Sequence, residues 1–204
     1  MNFTEFVNKF LEFHDQHKDY SEPLFKAIDQ LKISKNTGLC LEFGVFNGYT
    51  ISYINDNLPN WNIYGFDSFE GLPEKWERSD DPRYLKGHFT LEGKMPNLHP
   101  NIKLIKGWFE NTLPIWCETN QQYSQIDLLH VDCDIYSSTK TIFTFCESFI
   151  KKDTIIVFDE LLGYSDFEKH EMKAFYEFIQ YSNLKFDILY SGGYNLEKAA
   201  VVIT

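Results

Sequence analysis

Basic residues are scarce in this chain. Nineteen Lys and Arg stand against 30 Asp and Glu among 204 residues, a net charge of −11. A surface that tracks phosphates needs a basic face, so nucleic acid is not an expected partner. Cysteine is sparse too: Cys40, Cys117, Cys133 and Cys146 form no Cys-x-x-Cys pair. That leaves no zinc framework or disulfide scaffold to read, and a reducing, cytoplasmic location is expected. Cys40 and Cys133 fall in apolar runs, where a thiol acts as a small buried hydrophobe. No apolar run approaches the roughly 20 residues that span a bilayer, so no membrane association is expected. The opening MNFTEFVNKFLEFHDQ carries Glu5, Lys9 and Glu12 within its apolar pattern and does not resemble a signal peptide. Repeats, low-complexity tracts and linkers are likewise missing.

What is present is apolar and aromatic. Hydrophobic residues make up 43% and aromatics 17%, with 19 Phe and 12 Tyr, far from a disordered composition. A chain of this length buries roughly 70% of its unfolded surface. Phe3, Phe6, Val7, Phe10 and Leu11 recur at helical spacing. A second helix is expected from near Ser21, with Pro23 in its first turn and Leu24, Phe25, Ile28 and Leu31 on one face. These stripes could cover a sheet or a second copy of the chain in a homo-oligomer. The division expected is a helical extension over residues 1–37 and an α/β domain over residues 38–204.

Beyond Gly38, strands and helices alternate. Strands are predicted at Leu39–Phe43, Ile63–Phe66, Ile102–Ile105, Ile126–Val131, Thr154–Phe158, Phe186–Tyr190 and Ala199–Ile203. Helices are predicted near Thr50–Asn57, Thr139–Phe149 and Phe167–Tyr181, the last with a capping-box pattern of Ser165 and Glu168. Five alternating strands followed by two consecutive ones imply a Rossmann-like α/β sheet, parallel with an antiparallel end. The stretch Ser68–Pro100 is irregular, and a loop of that length is commonly a lid.

The segment LCLEFGVFNGYTISYINDNLPNWNIYGFDSFEG concentrates the chemistry. It reads as strand, glycine turn, helix, strand and acid, the first half of a nucleotide-binding sheet. The turn, Glu42-x-Gly44-x-x-x-Gly48, lacks the third glycine of the dinucleotide pattern. This disfavours a nucleotide-sugar oxidoreductase using NAD. A carboxylate at the first strand end attracts a cation, which points to the sulfonium of S-adenosylmethionine. Asp67, ending the second strand, is a candidate acceptor for ribose hydroxyls.

Acids recur at later strand ends. Asp132 follows the fourth strand, and Asp159 with Glu160 follows the fifth. In a parallel sheet these ends converge on one rim, where the three could hold Mg²⁺, a hard cation that prefers oxygen ligands. Helix capping by Asp134 or Ser137 is the competing explanation near Asp132, but it leaves the Asp159–Glu160 pair unexplained. These acids also disfavour a non-catalytic partner protein with a cofactor fold. Asp132 and His170 are the candidate bases, whereas His130, inside an apolar strand, reads as core.

The phrases LEFGVFNGYT, YGFDSFEGLPE, KGWFENTLP, LLHVDCDIYSST, IIVFDE and KHEMKAFYEF together resemble the macrocin O-methyltransferase family. These are class I S-adenosylmethionine-dependent methyltransferases, and the resemblance covers roughly Leu39 to Phe178. It implies a seven-stranded sheet with the last strand antiparallel and Mg²⁺-assisted methylation of a small-molecule or sugar hydroxyl. By position, Glu42, Gly44, Val45, Gly48 and Thr50 correspond to the cofactor loop. Asp67, Ser68 and Phe69 correspond to the ribose-binding strand end, and Gly107, Trp108 and Phe109 to the adenine region. Asp132 is implied at both cofactor and metal, with Asp159 and Glu160 as the other metal acids. Two departures stand out. The fifth-strand pair is Asp-Glu rather than Asp-Asp, and only two N-terminal helices are available to build an acceptor pocket.

Overall fold

The computed structural model describes residues 1–204. Helix α1 (Phe3–His17) starts at a capping box: Asn2 accepts from the Glu5 backbone, and the Glu5 side chain accepts from that of Asn2. Helix α2 (Pro23–Ser34) starts on Pro23, whose missing N–H costs nothing in a first turn. Then follow β1 (Leu39–Phe43), α3 (Tyr49–Asn57), β2 (Asn62–Asp67) and β3 (Ile102–Lys106). The chain continues through α4 (Phe109–Thr119), β4 (Leu128–Val131), α5 (Tyr136–Cys146) and β5 (Ile155–Phe158). It closes with α6 (Glu171–Ser182), β6 (Phe186–Gly192) and β7 (Lys198–Ile203). No helix is long and apolar enough to cross a membrane.

The seven strands form one sheet in the order β3-β2-β1-β4-β5-β7-β6. Strands β1 to β5 are parallel, and β7 runs antiparallel to both β5 and β6. The expected Rossmann-like fold is therefore present. The chain builds outward from β1 to β3, then returns to place β4 on the other side of β1. Their carboxyl ends diverge into a crevice, where an open α/β sheet binds its ligands.

Two apolar layers sandwich the sheet. One joins α1, α4, α5 and α6 to residues such as Leu41, Phe43 and Val131; the other joins α2 and α3 to Cys40, Ile63 and Leu128. The alternation follows from strand geometry, since successive side chains point to opposite faces. The N-terminal stripes thus cover the sheet itself. Phe6 and Phe10 pack against Phe175 and Phe186 with ring centroids 5.5–6.2 Å apart.

Two local readings are corrected. Helix α4 is not among the predicted helices: Pro114 lies inside it, and an interior proline normally breaks a helix; burial of Leu113 and Trp116 compensates. The Ser165–Glu168 capping box does not form. Asp166 adopts a left-handed conformation ahead of a short 3-10 turn, and α6 begins at Glu171. Asp166 is drawn away by long-range bonds to Ser79 and an ion pair with Lys169. Ser68–Pro100 contains neither helix nor strand, but it folds back on itself. Leu72 and Gly87 exchange backbone bonds with His88 and Leu72, and Trp76 bonds Tyr84. Trp76 itself is buried among Leu72, Ile135 and Tyr164.

Candidate active site

The glycine turn after β1 is held by the acid that ends β2. Asp67 Oδ2 accepts from the backbone N–H groups of Val45 at 2.9 Å and Phe46 at 2.8 Å, and Oδ1 accepts from Phe69 at 2.7 Å. A carboxylate has about four acceptor positions, so one remains on Oδ1. Gly44 sits where no side chain fits: its φ is +92°, and an added Cβ would lie 1.6 Å from the Asp132 carbonyl oxygen.

A cavity of about 430 Å³ opens at these strand ends. Of the residues predicted for the site, Gly44, Asp67, Ser68, Trp108, Phe109, Asp132, Asp159 and Glu160 line it. Others stand behind the wall. Val45 and Phe69 are core residues, Gly48 starts α3, and Gly107 makes the turn into α4 at φ +142°. Residues that sequence reasoning missed complete the lining, among them Trp76, Arg78, Tyr84, Asp134 and Glu197. Most come from Ser68–Pro100 and the β6–β7 turn, whose positions carry no periodic signal. Arg78 is clamped by Asp80 at 3.0 Å and Glu197 at 3.1 Å, beneath the rings of Trp76 and Tyr164.

Glu42 corrects an expectation. It is fully buried, accepting from Thr50 Oγ1 at 3.0 Å and from His130 Nδ1 at 2.9 Å. The cation it meets is His130, its register partner across β1 and β4, not a ligand. His130, read as core, is buried but polar in function. Its Nε2 faces Asp159 Oδ1 at 3.9 Å, an ion-pair distance. Burial opposes charge on the ring, yet Asp159 and Glu42 outweigh it and push its pKa up to about 10. Lys198 on β7 donates to the same Asp159 oxygen, Oδ1, and pairs with Glu22 at 3.2 Å. Burial works against the Asp159 charge, but His130 and Lys198 hold its carboxyl well below the usual range.

This buried pair makes stability depend on pH. His130 binds its proton more tightly folded (about 10) than at its ordinary 6.5, so its contribution is complete below about 6.5 and lost as pH rises towards 10. Urea unfolding at pH 6.5 and 9.5 should differ by on the order of 4 kcal/mol, with the acidic condition more stable. An equal slope in His130→Gln would rule out this origin.

The remaining acids are the reverse of Asp159. Asp132, Asp134 and Glu160 bring carboxylate oxygens within 4.8 Å of one another. Burial first, and then neighbouring acids led by Asp159, push all three upward, Asp134 to about 7. Glu160 Oε2 is buried without a partner. Asp134 does not cap a helix: it has φ +66°, and Ile135 holds the N-cap position of α5. His170 does not join the group. It packs against Trp76 and Tyr164, and its Nε2 bonds the Glu77 carbonyl at 2.9 Å. Burial lowers its pKa.

A family model described as a methyltransferase domain matches residues 41–161. The chain belongs to the methyltransferase-domain family. The match runs from β1 to just beyond the fifth-strand acids, spanning the crevice and removing the oxidoreductase reading. Among solved structures, the calicheamicin methyltransferase CalS11 is 22% identical with a TM-score of 0.65, over 88% of this chain and 76% of that one. The O-methyltransferase NovP is 15% identical at 0.65, over 89% and 78%. An O-methyltransferase from Bacillus cereus, solved with SAH, is 16% identical at 0.56, over 97% and 90%. These likenesses establish a shared methyltransferase fold. A curated relative, a UDP-N-acetylmuramoyl-L-alanyl-D-glutamate–2,6-diaminopimelate ligase of Leptospira interrogans (serogroup Icterohaemorrhagiae serovar copenhageni, strain Fiocruz L1-130), is 30% identical over 101 residues. The match spans 49% of this chain and 19% of that protein's length.

Proposed function

We propose that this methyltransferase domain is an S-adenosylmethionine-dependent O-methyltransferase of the macrocin type, acting on a hydroxyl of a small molecule or sugar with Mg²⁺ assistance in the cytoplasm. One observation carries the reading: a single cavity has the Asp67-braced glycine turn on one wall and partnerless carboxylates on the other. Its volume lies within the 300–1,000 Å³ range usual for small-molecule sites. The neighbours support a hydroxyl acceptor, since NovP is an O-methyltransferase and CalS11 a TDP-rhamnose 3'-O-methyltransferase.

The residues suit both groups. Gly44, with no room for a Cβ, lets the turn approach a ligand closely, while Asp67 retains one acceptor position and Trp108 offers a half-buried ring for an adenine. Asp132 and Glu160 supply oxygen donors and an unsatisfied buried atom, which fits a hard divalent cation. S-adenosylmethionine would supply an activated methyl group, and Mg²⁺ would acidify and orient the acceptor hydroxyl. The protein's own part is alignment, worth roughly 7–11 kcal/mol when two reactants are held in register. Asp132, in the cavity wall, receives the hydroxyl proton.

Calorimetric titration with S-adenosylhomocysteine and NAD tests the reading. S-adenosylhomocysteine should bind and NAD should not. Asp67→Ala should weaken binding by about 1.5–3 kcal/mol, the scale of a hydrogen bond to a charged group. Unchanged affinity in that variant would remove Asp67 from the site, and binding of NAD alone would overturn the proposal.

A further inference from the structure

Part of the cavity wall is aromatic. Phe46, from the glycine turn, meets Phe89, from the Ser68–Pro100 loop, edge to face with ring centroids 5.8 Å apart. Tyr84 stacks on Phe89 at the same centroid distance, and all three rings line the cavity. Phe46 and Phe89 are 38% and 39% exposed, and both have a left-handed backbone, at φ +46° and +65°. A bulky side chain keeps that conformation only where its surroundings hold it. For Phe46 the hold is the backbone N–H, which donates to Asp67 at 2.8 Å.

The same cavity has no free positive charge in its lining. Seven lining residues are acids and one, Arg78, is basic. Arg78 is fully engaged. Its Nε and Nη2 donate to Asp80 at 3.2 and 3.0 Å, and its Nη1 and Nη2 to Glu197 at 3.4 and 3.1 Å. The rings of Trp76 and Tyr164 cover it, with centroids 4.8 and 4.3 Å from the guanidinium carbon. A phosphate entering here meets carboxylates, and like charges set side by side suppress binding. Carboxylates accept hydrogen bonds without donating them, which suits a ligand that brings O–H groups.

We infer that the acceptor is an uncharged sugar ring, packed by its C–H face on Phe46, Tyr84 and Phe89, and that phosphorylated and nucleotide-activated sugars are rejected. The inference rests on the methyltransferase reading and narrows its acceptor. A pyranose matches both parts of the lining, because it is apolar on one face and carries hydroxyl donors around its edge. Mg²⁺ beside Asp132 and Glu160 would orient one hydroxyl, but it leaves Asp67, Glu110 and Glu197 as acids in the lining.

Saturation-transfer NMR and calorimetry on the full chain test this, with Mg²⁺ present and S-adenosylhomocysteine saturating so that no nucleotide enters its place. The probes are methyl glycosides of common hexoses and 6-deoxyhexoses, with the matching hexose 1-phosphates and UDP-sugars. At least one methyl glycoside should bind, about tenfold or more tighter than its phosphorylated counterparts. Phe89→Ala should weaken that glycoside about fivefold, the scale of a lost aromatic contact, and leave S-adenosylhomocysteine affinity unchanged. Asp80→Asn combined with Glu197→Gln frees Arg78 and should raise UDP-sugar affinity about tenfold; thermal unfolding checks that each variant is folded. A UDP-sugar bound by the unmodified protein as tightly as the glycoside, or a glycoside indifferent to Phe89→Ala, would overturn the inference. If S-adenosylhomocysteine binds and no glycoside does, the sugar assignment fails and the methyltransferase reading stands. Failure of S-adenosylhomocysteine itself to bind would remove both.

Discussion

Glu42→Ala is expected to lower the unfolding free energy by about 3–5 kcal/mol, the usual cost of removing one partner from a buried ion pair. The loss comes from what remains. His130 is wholly buried, and its Nδ1 would lose its only hydrogen-bond partner, while Thr50 would lose an acceptor. Without Glu42 the imidazolium would keep Asp159, at 3.9 Å, and the nearby Asp132 carboxylate, neither of them hydrogen-bonded to Nδ1. The His130 proton should therefore be released at lower pH, and stability should begin to fall nearer neutrality. Chemical denaturation of the wild type and variant at pH 6.5 checks both the size and the sign. A loss below about 1 kcal/mol would place Glu42 among ordinary hydrogen-bonded groups rather than at a buried charge.

Gly44→Val should abolish S-adenosylhomocysteine binding and destabilise the fold. A Cβ at position 44 would stand 1.6 Å from the Asp132 carbonyl oxygen, and the backbone there is at φ +92°. Left-handed strain at a β-branched residue and overpacking against backbone each cost about 1–3 kcal/mol. Neither can be relieved cheaply. The neighbouring Val45 and Phe46 amides are anchored on Asp67, and the Asp132 amide is bonded to the Phe43 carbonyl. Any shift that frees space must break one of these ties. Titration calorimetry together with urea unfolding measures the result, and retained affinity would mean that the turn is not part of the cofactor site.

The neighbouring contacts explain which parts of the molecule were legible. The parallel strands are buried on both faces, so Leu39–Phe43 and Ile155–Phe158 read as short apolar runs whatever their neighbours are. Gly44 and Asp67 were readable because a turn between strand and helix and an acid at a strand end are local requirements. Helix α4 was hidden by Pro114, and the Ser165–Glu168 cap gave way to the pull of Ser79 on Asp166. In both cases a contact distant in sequence outweighed local propensity, worth about 1 kcal/mol for a cap.

By itself, the amino-acid sequence determined the order of the strands and of every helix but α4, the glycine turn, and the convergence of Asp67, Asp132, Asp159 and Glu160 on one rim. Each follows from a periodicity or a strand end, which the chain specifies over a few residues. Tertiary structure decided what each acid does. Glu42 and His130 are 88 residues apart, and Lys198 and Asp159 are 39 apart; only the pairing of β1 with β4 and of β5 with β7 brings them together. Those two cations neutralise Glu42 and Asp159 and leave Asp132, Asp134 and Glu160 in the cavity wall without an ion-pair partner. The charge state and role of a carboxylate depend on which donors surround it, and here those donors arrive from strands that the local sequence cannot name.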